Sequence, residues 1–315
     1  MMPHRKKTKS TGGEALVNKN LLVGVAAALL AAPVFAQDFA AARIETHRLT
    51  PNLFMLELIG EGAGNIALST GADGAVLVDT QFAPLNAKIL AAVRAAGGSD
   101  VKYVINTHWH GDHTGGNEPL GQAGALIIAH DNVLARMSTE QFMAAFDQRV
   151  PPSPAIARPV VTFPTRTTFR LNGDVVQIVH VENAHTDGDS IVHFTNANVI
   201  HTGDTYMKDV YPFIDVSSLG SINGFIASAD AVLSRADANT KIIPGHGALA
   251  NKADMQRFHD MLVAVRGKLQ ALIDQGMSED EVVAARPTAE FDAAWGQGFM
   301  TPENFTRFSY QSLKK

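Results

Sequence analysis

A short stretch of the chain carries four side chains that can bind a metal ion. In INTHWHGDHTGG, which begins at Ile105, the residues His108, His110, Asp112 and His113 fall within six positions. Imidazole nitrogens and carboxylate oxygens suit zinc, and they also accept iron or manganese. The chain contains no cysteine, so any metal site in it must use nitrogen and oxygen donors only.

The spacing of these four donors favours two metal ions. The apolar run KYVIN precedes them and predicts a strand that leads into the motif. In extended backbone, side chains two positions apart point the same way, so His108 and His110 can bind one ion together. The glycine that follows permits a sharp turn, after which Asp112 and His113 can reach a second ion about 3.5–4 Å from the first.

Three further donors are expected at other strand ends. His185 lies in NAHTDGDS between two predicted strands, Asp204 ends the strand NVIHTGD, and His246 lies in IIPGHG. Each has a glycine within a few residues, which places it where a strand passes into a loop. Loops at one end of a sheet can meet although they are distant in sequence, so these donors can complete two coordination shells.

The elements that position the donors follow an α/β pattern. NLFMLEL, NIALSTG, AVLVDT, VKYVINT and GALIIAH predict strands, with a helix over 84–96 and another in TEQFMAAFDQ. Further strands follow in PVVTFPTRTTFRLNGDVVQIVHVENAH, with a hairpin turn at Asn172-Gly173, and in SIVHF and NVIHTGD. SINGFIASADAVLSRA and residues 252–273 predict helices, and the C-terminal part is mostly helical, with a break at Pro302. Two sheets covered by helices is the simplest architecture, because each sheet must bury both faces.

Composition narrows the function. The 315 residues are 46% hydrophobic, which is typical of a folded globular chain, and 18% charged, which is somewhat low. The formal net charge of -5, without a basic stripe after the first twenty residues, argues against a nucleic-acid partner. The absence of cysteine excludes a disulfide framework and fits an oxidising compartment.

The N-terminus is typical of a secretory signal. Basic residues come first: Arg5, Lys6, Lys7, Lys9 and Lys19. The apolar run in LLVGVAAALLAAPVFAQ is too short for a membrane span, and Val34 and Ala36 fit the positions read by signal peptidase. We predict cleavage after Ala36, export to the periplasm or the medium, no membrane association afterwards, and a single domain over 37–315 with a helical C-terminal extension. An uncleaved anchor is the alternative, and a translation start near Val17 is a further expectation.

The remaining histidines are expected to be structural. Solvated or hydrogen-bonded roles are expected for His4, His47, His130, His180 and His259. His193 and His201 lie in strands that flank the proposed site and could support its ligands. Asp187 and Asp189 are expected to hold their loop by accepting hydrogen bonds from backbone amides.

Together these motifs resemble those of the metallo-β-lactamase superfamily. HWHGDH matches the H-x-H-x-D-H motif of that family, and His185, Asp204 and His246 match its later motifs in order and approximate spacing. The resemblance runs from about Arg43 to about Leu262. It implies a four-layer αβ/βα sandwich with two zinc ions per chain in a groove at the sheet edge.

The resemblance also implies a role for each donor. The first zinc would be held by His108, His110 and His185. The second would be held by Asp112, His113 and His246, and Asp204 would bridge the two. A zinc-bound water loses a proton near pH 7, so a hydroxide between the ions would attack a carbonyl group, with Asp112 as the catalytic residue that orients it and shuttles a proton.

The expected substrate is a small molecule with an acyl C–N or C–O bond, either a β-lactam or other cyclic amide, or an ester or lactone. The best-known β-lactamases carry cysteine where this chain has Asp204, whereas glyoxalase II and lactonases resemble it in carrying aspartate. Tyr206 could hydrogen-bond an oxyanion and Lys208 could pair with a substrate carboxylate. Packing and a solvated surface lysine are the alternatives for these two.

Other functions fit the same motifs. A glyoxalase-II-like thioesterase would usually be cytoplasmic, which the signal sequence disfavours. An iron-dependent oxidoreductase on the same fold would contain iron instead of zinc. A non-catalytic metal-binding protein would be expected to lack at least one of the seven donors, and all seven are present.

Overall fold

The computed structural model of the chain describes residues 39, 41–59 and 64–314. The strands are β1 (Arg43–Arg48), β2 (Leu53–Ile59), β3 (Ile66–Ser69), β4 (Ala75–Val78), β5 (Val101–Ile105), β6 (Leu126–His130), β7 (Gln141–Met143), β8 (Gln148–Val150), β9 (Val161–Phe163), β10 (Arg166–Leu171), β11 (Asp174–His180), β12 (Ser190–Phe194), β13 (Val199–His201), β14 (Lys241–Ile243) and β15 (Ala250–Asn251). The α-helices are α1 (Asn86–Ala95), α2 (Gly111–Thr114), α3 (Asn117–Gln122), α4 (Asp131–Met137), α5 (Ile222–Leu233), α6 (Lys252–Asp274), α7 (Glu279–Ala284), α8 (Asp292–Trp295) and α9 (Pro302–Leu313).

The predicted signal sequence, 1–36, lies outside the described residues. Within the part that the structure describes, none of the helices combines the length and the apolar character that crossing a membrane requires.

Two large sheets form the centre of the fold. The first has the order β1-β2-β3-β4-β5-β6-β9, antiparallel from β1 to β4 and parallel from β4 to β9. The second has the order β10-β11-β12-β13-β14-β15, in which β13 and β14 are parallel and the other neighbours antiparallel. Each parallel pair brings the carboxyl ends of its strands to the same edge, and functional loops can gather there.

Three apolar clusters separate four layers. Strand β2 shows how the alternation of side chains divides them: Met55 belongs to the cluster between the two sheets, whereas Phe54 and Leu56 face the opposite way, into the cluster under α1 and α3. The outer face of the second sheet packs on α5, α6 and α9 through a third cluster. The predicted α/β fold, a four-layer αβ/βα sandwich, is confirmed.

Several local predictions are confirmed as well. Asn172 and Gly173 join β10 to β11 with φ of 53° and 78°, which is the left-handed pair that a two-residue hairpin turn requires. The helix predicted over 252–273 is α6, and a capping box that was not predicted starts it: the Asn251 side chain accepts from the Asp254 N–H, and Asp254 accepts from the Asn251 N–H. Pro302 takes the first position of α9, where its missing N–H costs nothing.

The prediction of a helix for TEQFMAAFDQ was wrong. The segment forms a separate hairpin, β7 and β8, joined through a single 3₁₀ turn over Ala144–Phe146. Asp147 ends that turn at φ 47°, a conformation that a continuous helix does not admit. The apolar side chains of such a short segment fit helical and extended spacing equally, and pairing with β8 decides between them.

Candidate metal centre

The loops that carry the seven predicted donors meet at one edge of the two sheets. The loop after β5 holds His108 and His110, and it leads into the one-turn helix α2, which holds Asp112 and His113. On the second sheet, His185 follows β11, Asp204 lies in a 3₁₀ turn after β13, and His246 follows β14. β11 and β13 are both antiparallel to β12, so β11, β13 and β14 all end at the same edge.

The structure brings the seven donors together in two groups, in each of which the donor atoms lie within 4.8 Å of one another. The first group is His108, His110 and His185; the second is Asp112, His113, Asp204 and His246. Asp204 contacts both groups, because its Oδ2 lies 3.7 Å from His185 Nε2 and 3.2 Å from His246 Nε2. Tetrahedral zinc with bonds of about 2.0–2.1 Å sets its ligand atoms about 3.4 Å apart. The groups therefore have the dimensions of a metal site.

In the first group, hydrogen bonds on the outer ring nitrogens leave lone pairs on the inner ones. His185 Nδ1 donates to the Phe213 carbonyl (2.7 Å), and His110 Nε2 donates to Asp215 Oδ2 (3.1 Å). The two remaining nitrogens, His185 Nε2 and His110 Nδ1, face each other at 2.8 Å. His108 Nδ1 donates to Thr107 Oγ1, and its buried Nε2 has no hydrogen-bond partner among the described residues. Lone pairs that converge in this way repel one another unless a cation lies between them, so this group fits a metal ion.

Burial keeps two histidines of the first group, His108 and His185, neutral. It lowers the pKa of His108 well below its usual value and the pKa of His185 to about 4, with neighbouring histidines adding to both effects. Neutral imidazole is the form that binds a metal ion. His108 and His185 are therefore ready to coordinate at neutral pH without losing a proton.

The second group balances two carboxylates against two histidines. His113 Nε2 lies 3.1 Å from Asp204 Oδ1 and 3.3 Å from Asp112 Oδ2, and His246 Nε2 lies 3.3 Å from the same Asp112 oxygen. Burial alone would raise the pKa of both carboxyl groups, but His113 and His246 lower it well below the usual value. Conversely, the carboxylates outweigh burial and raise the pKa of His246 to about 10. In the metal-free chain a proton thus supplies positive charge that a metal ion would otherwise supply.

Asp79, which sequence reasoning missed, holds the metal-binding loop from behind. It follows β4 at φ 66° and is buried; its Oδ1 accepts from the Thr107 N–H, and its Oδ2 accepts from Thr107 Oγ1 (2.7 Å) and His113 Nδ1 (2.8 Å). These bonds orient His113 and, through Thr107, His108. An aspartate directly after the apolar run AVLV was the signal in the sequence.

Asp215 was missed as well, and it orients His110. Its side chain is 1% exposed. While Oδ2 accepts from His110, Oδ1 accepts from the N–H and hydroxyl of Ser217 and from the N–H of Ser218. Burial alone would raise the pKa of this carboxyl group, but the His110 hydrogen bond and the serine donors lower it. A carboxylate that fixes the tautomer of a metal-binding histidine is a common feature of metal sites.

Neighbouring polar residues keep the loops in place. Asp189 accepts from the backbone N–H groups of His185 and Thr186, as predicted for that loop, whereas Asp187 instead pairs with Arg136. His201 is buried beside the Asp204 turn, where its Nδ1 accepts from the Gly203 N–H.

The remaining described histidines lie away from the donor groups. His130 and His180 stack on each other at 3.6 Å, His47 pairs with Glu57, and His259 lies beside Asp230. His193 is a partly buried residue of β12.

The structure supports the packing alternative for Tyr206 and a structural role for Lys208. The Tyr206 ring is buried in the cluster under α6, 5.0 Å from the Phe258 ring. Lys208 Nζ donates to the Leu249 carbonyl and lies 3.6 Å from Asp254. Their backbones instead hold the loop that carries His246: the Lys208 N–H donates to the His246 carbonyl, and the Tyr206 carbonyl accepts from the Gly245 N–H.

Comparison with known proteins agrees with this geometry. The chain is 26% identical over 216 residues to a hydroxyacylglutathione hydrolase of Polaromonas sp. (strain JS666), a match that covers 65% of this chain and 71% of that protein. Its fold is similar to a metallo-beta-lactamase from Pontibacter korlensis (TM-score 0.56, 18% identity, 70% of this chain and 99% of that one). It is also similar to the sec-alkylsulfatase Pisa1 from Pseudomonas sp. (TM-score 0.64, 16% identity, 85% and 50%).

The sequence profile of the metallo-beta-lactamase superfamily matches residues 59–248, which contain all seven donors. The four-layer fold and the two donor groups at its edge agree with this match. The chain belongs to the metallo-beta-lactamase superfamily.

Proposed function

We propose that this protein is an exported hydrolase that binds two zinc ions and cleaves the acyl C–N or C–O bond of a β-lactam, another cyclic amide, an ester or a lactone. The observation that carries the proposal is the convergence of two donor groups that share Asp204. Superfamily members are generally metal-dependent hydrolases, and the choice of zinc rests on donors that are all imidazole and carboxylate.

Two bound zinc ions would supply a nucleophilic water at neutral pH and a Lewis acid for the acyl oxygen. The chain's own residues supply orientation and proton transfer. The Asp112 side chain is 19% exposed and the Asp204 side chain 5%. Asp112 is therefore the carboxylate of the centre that is more accessible to a substrate and to solvent. We assign to Asp112 the orientation of the attacking water and the transfer of its proton to the leaving group.

A thioester is the second candidate substrate. It is favoured by the 26% identity to a hydroxyacylglutathione hydrolase over 71% of that protein's length. It also agrees with an aspartate, Asp204, at the position that contacts both donor groups.

The proposal includes export. The basic residues before the apolar run and the small residues up to Ala36 support it. N-terminal sequencing of the mature protein is expected to begin at Gln37, and a mature chain that begins earlier would contradict cleavage after Ala36.

The test is a metal analysis combined with a substrate panel. Purified protein is expected to contain two zinc ions per chain and to hydrolyse at least one of nitrocefin, a lactone and a thioester, with loss of activity after chelation and recovery with zinc. Iron in place of zinc, with oxygen consumption and no hydrolysis, would favour an oxidoreductase. Undiminished hydrolysis by the chelated, metal-free protein would refute the proposal.

A further inference from the structure

We propose that Phe146, Phe213 and Phe299 form an aromatic wall that binds an apolar or aromatic arm of the substrate beside the first donor group. This inference rests on the proposed function and names the class of acyl substrate that the site takes.

Phe213 connects the wall to the metal centre. Its carbonyl accepts the hydrogen bond from His185 Nδ1 at 2.7 Å. Its ring lies 6.1 Å from the His110 ring at an angle of 19° and 5.5 Å from the His185 ring. Phe213 itself is only 4% exposed, so it supports the wall from beneath and holds the two exposed rings beside the first donor group.

The two other rings of the wall contact Phe213 and face solvent. Phe146 is 50% exposed with its ring centroid 5.3 Å from that of Phe213, and Phe299 is 59% exposed at 6.3 Å. Both meet Phe213 edge to face, at 62° and 75°, an arrangement favoured for aromatic pairs. Exposed apolar groups clustered beside a reactive centre are typical of a ligand-binding surface.

The segment that carries Phe146 is fixed to the metal-binding region. Phe146 lies in the turn between β7 and β8, and in that turn the Ala144 N–H donates to Ser217 Oγ at 3.2 Å. Ser217 in turn donates to Asp215, which accepts from His110. The position of the Phe146 segment is thus set by the same hydrogen-bond network that orients a metal-binding histidine.

The chemistry of the wall selects the arm. Phenyl rings stabilise an alkyl chain or another aromatic ring by removing apolar surface from water, at up to about fourfold in affinity per fully buried methylene. A half-exposed wall covers one side of a chain only, so about twofold per methylene is expected. An acyl group with a long alkyl or aryl substituent would place that substituent on the wall while its carbonyl reaches the donors.

Binding of n-alkyl hydroxamates tests this inference without requiring turnover. The hydroxamate head group binds metal ions regardless of which substrate the protein hydrolyses, so it anchors the alkyl chain at the centre. Calorimetry on the zinc-loaded protein is expected to show affinity that rises about twofold per methylene from the butyl to the octyl compound. Phe146→Ala and Phe299→Ala should each weaken octyl binding by about threefold or more and leave the binding of the shortest compound nearly unchanged. Both side chains are exposed, so little loss of stability is expected.

Phe142→Ala is the matched control. Phe142 lies on the same hairpin and is 47% exposed, but its ring contact is with the Arg149 guanidinium, 5.6 Å away, and no ring contact with Phe213 occurs among the described residues. Octyl binding should be unaffected by this change.

The possible outcomes separate the two proposals. Chain-length dependence without hydrolysis of any panel substrate would support the wall and refute the hydrolase. Equal affinity along the series, an equal loss in Phe142→Ala, or no binding of the octyl compound would overturn the wall. Self-association of the protein would also overturn the wall if Phe146→Ala and Phe299→Ala abolished the association but left the dependence on chain length unchanged. The rings would then bind a second copy of the chain and not the substrate.

Discussion

Replacing Asp215 with asparagine exchanges one oxygen of a buried carboxylate for an NH₂ group and leaves the shape of the side chain unchanged. In the native chain, Oδ2 accepts from His110 Nε2 at 3.1 Å, while Oδ1 accepts from Ser217 and Ser218. If the amide oxygen keeps the serine bonds, its NH₂ group faces the His110 N–H, and two donors meet. The histidine must then move its proton to Nδ1, which is the nitrogen that faces His185.

The expected magnitude follows from this loss of the coordinating lone pair. Replacement of a group that orients a metal-binding histidine typically costs about 10- to 100-fold in metal affinity, or about 1.4–2.7 kcal/mol. The flipped amide orientation is also unfavourable, because it directs the NH₂ group at the donors of Ser217 and Ser218 and leaves those donors unsatisfied. We therefore expect Asp215→Asn to weaken zinc binding at the first donor group by about 10- to 100-fold.

Competition with a chromogenic chelator measures the affinities of both zinc ions, and thermal unfolding of the metal-free protein measures folding separately. Asp254→Asn is the control, because Asp254 is also a largely buried carboxylate but caps α6 and pairs with Arg257 instead of a proposed ligand. It should lower the melting temperature without changing zinc affinity. Unchanged zinc affinity in a folded Asp215→Asn protein would refute the reasoning.

Two substitutions and one calorimetric measurement test the centre further. His110→Ala should lower the zinc content toward one ion per chain and abolish hydrolysis, as measured by elemental analysis and a substrate assay; full activity would contradict the assignment. Gly245→Ala would press a methyl group onto Asp204 Oδ1 and the Gly203 backbone, so chelator competition should show weaker zinc binding, whereas Gly267→Ala, whose new methyl group meets open space, should not. Because the pKa of His246 is raised to about 10, this histidine is protonated at pH 7 in the metal-free chain, and zinc binding at the second group must release a proton. Calorimetry in two buffers of different ionisation enthalpy should detect that release, and the affinity should fall about tenfold per released proton for each unit of decreasing pH; equal binding enthalpies in the two buffers would contradict it.

The fold was accessible from the sequence where patterns were long or chemically specific. Apolar runs predicted the strands of both sheets except β1 and β15, and Asn172-Gly173 predicted a turn that few other residue pairs can form. The segment around Phe146 was mispredicted as a helix, because pairing of β7 with β8 is decided by contacts between the strands and by Asp147 at positive φ.

The donors of the centre were accessible for a different reason than the groups that support them. Each donor follows an apolar strand and has a glycine nearby, so residue type and local context sufficed. Asp215 has no such local context, and Asp79 follows an apolar strand but has no nearby motif that points to its partner. Their partners His110 and His113 lie 105 and 34 residues away in the chain. Only the packing of the two sheets brings those partners together, and a single sequence does not report it.

Each donor group takes its members from both halves of the polypeptide. The first sheet's loop gives His108 and His110 to one group, Asp112 and His113 to the other, and the second sheet completes both. Neither half alone offers three donors for either cation. Strong coordination therefore requires that the two halves have folded and packed against each other. An ion bound there would cross-link the two halves. A chain cleaved between them would therefore dissociate into its fragments faster in the presence of a chelator than in the presence of zinc.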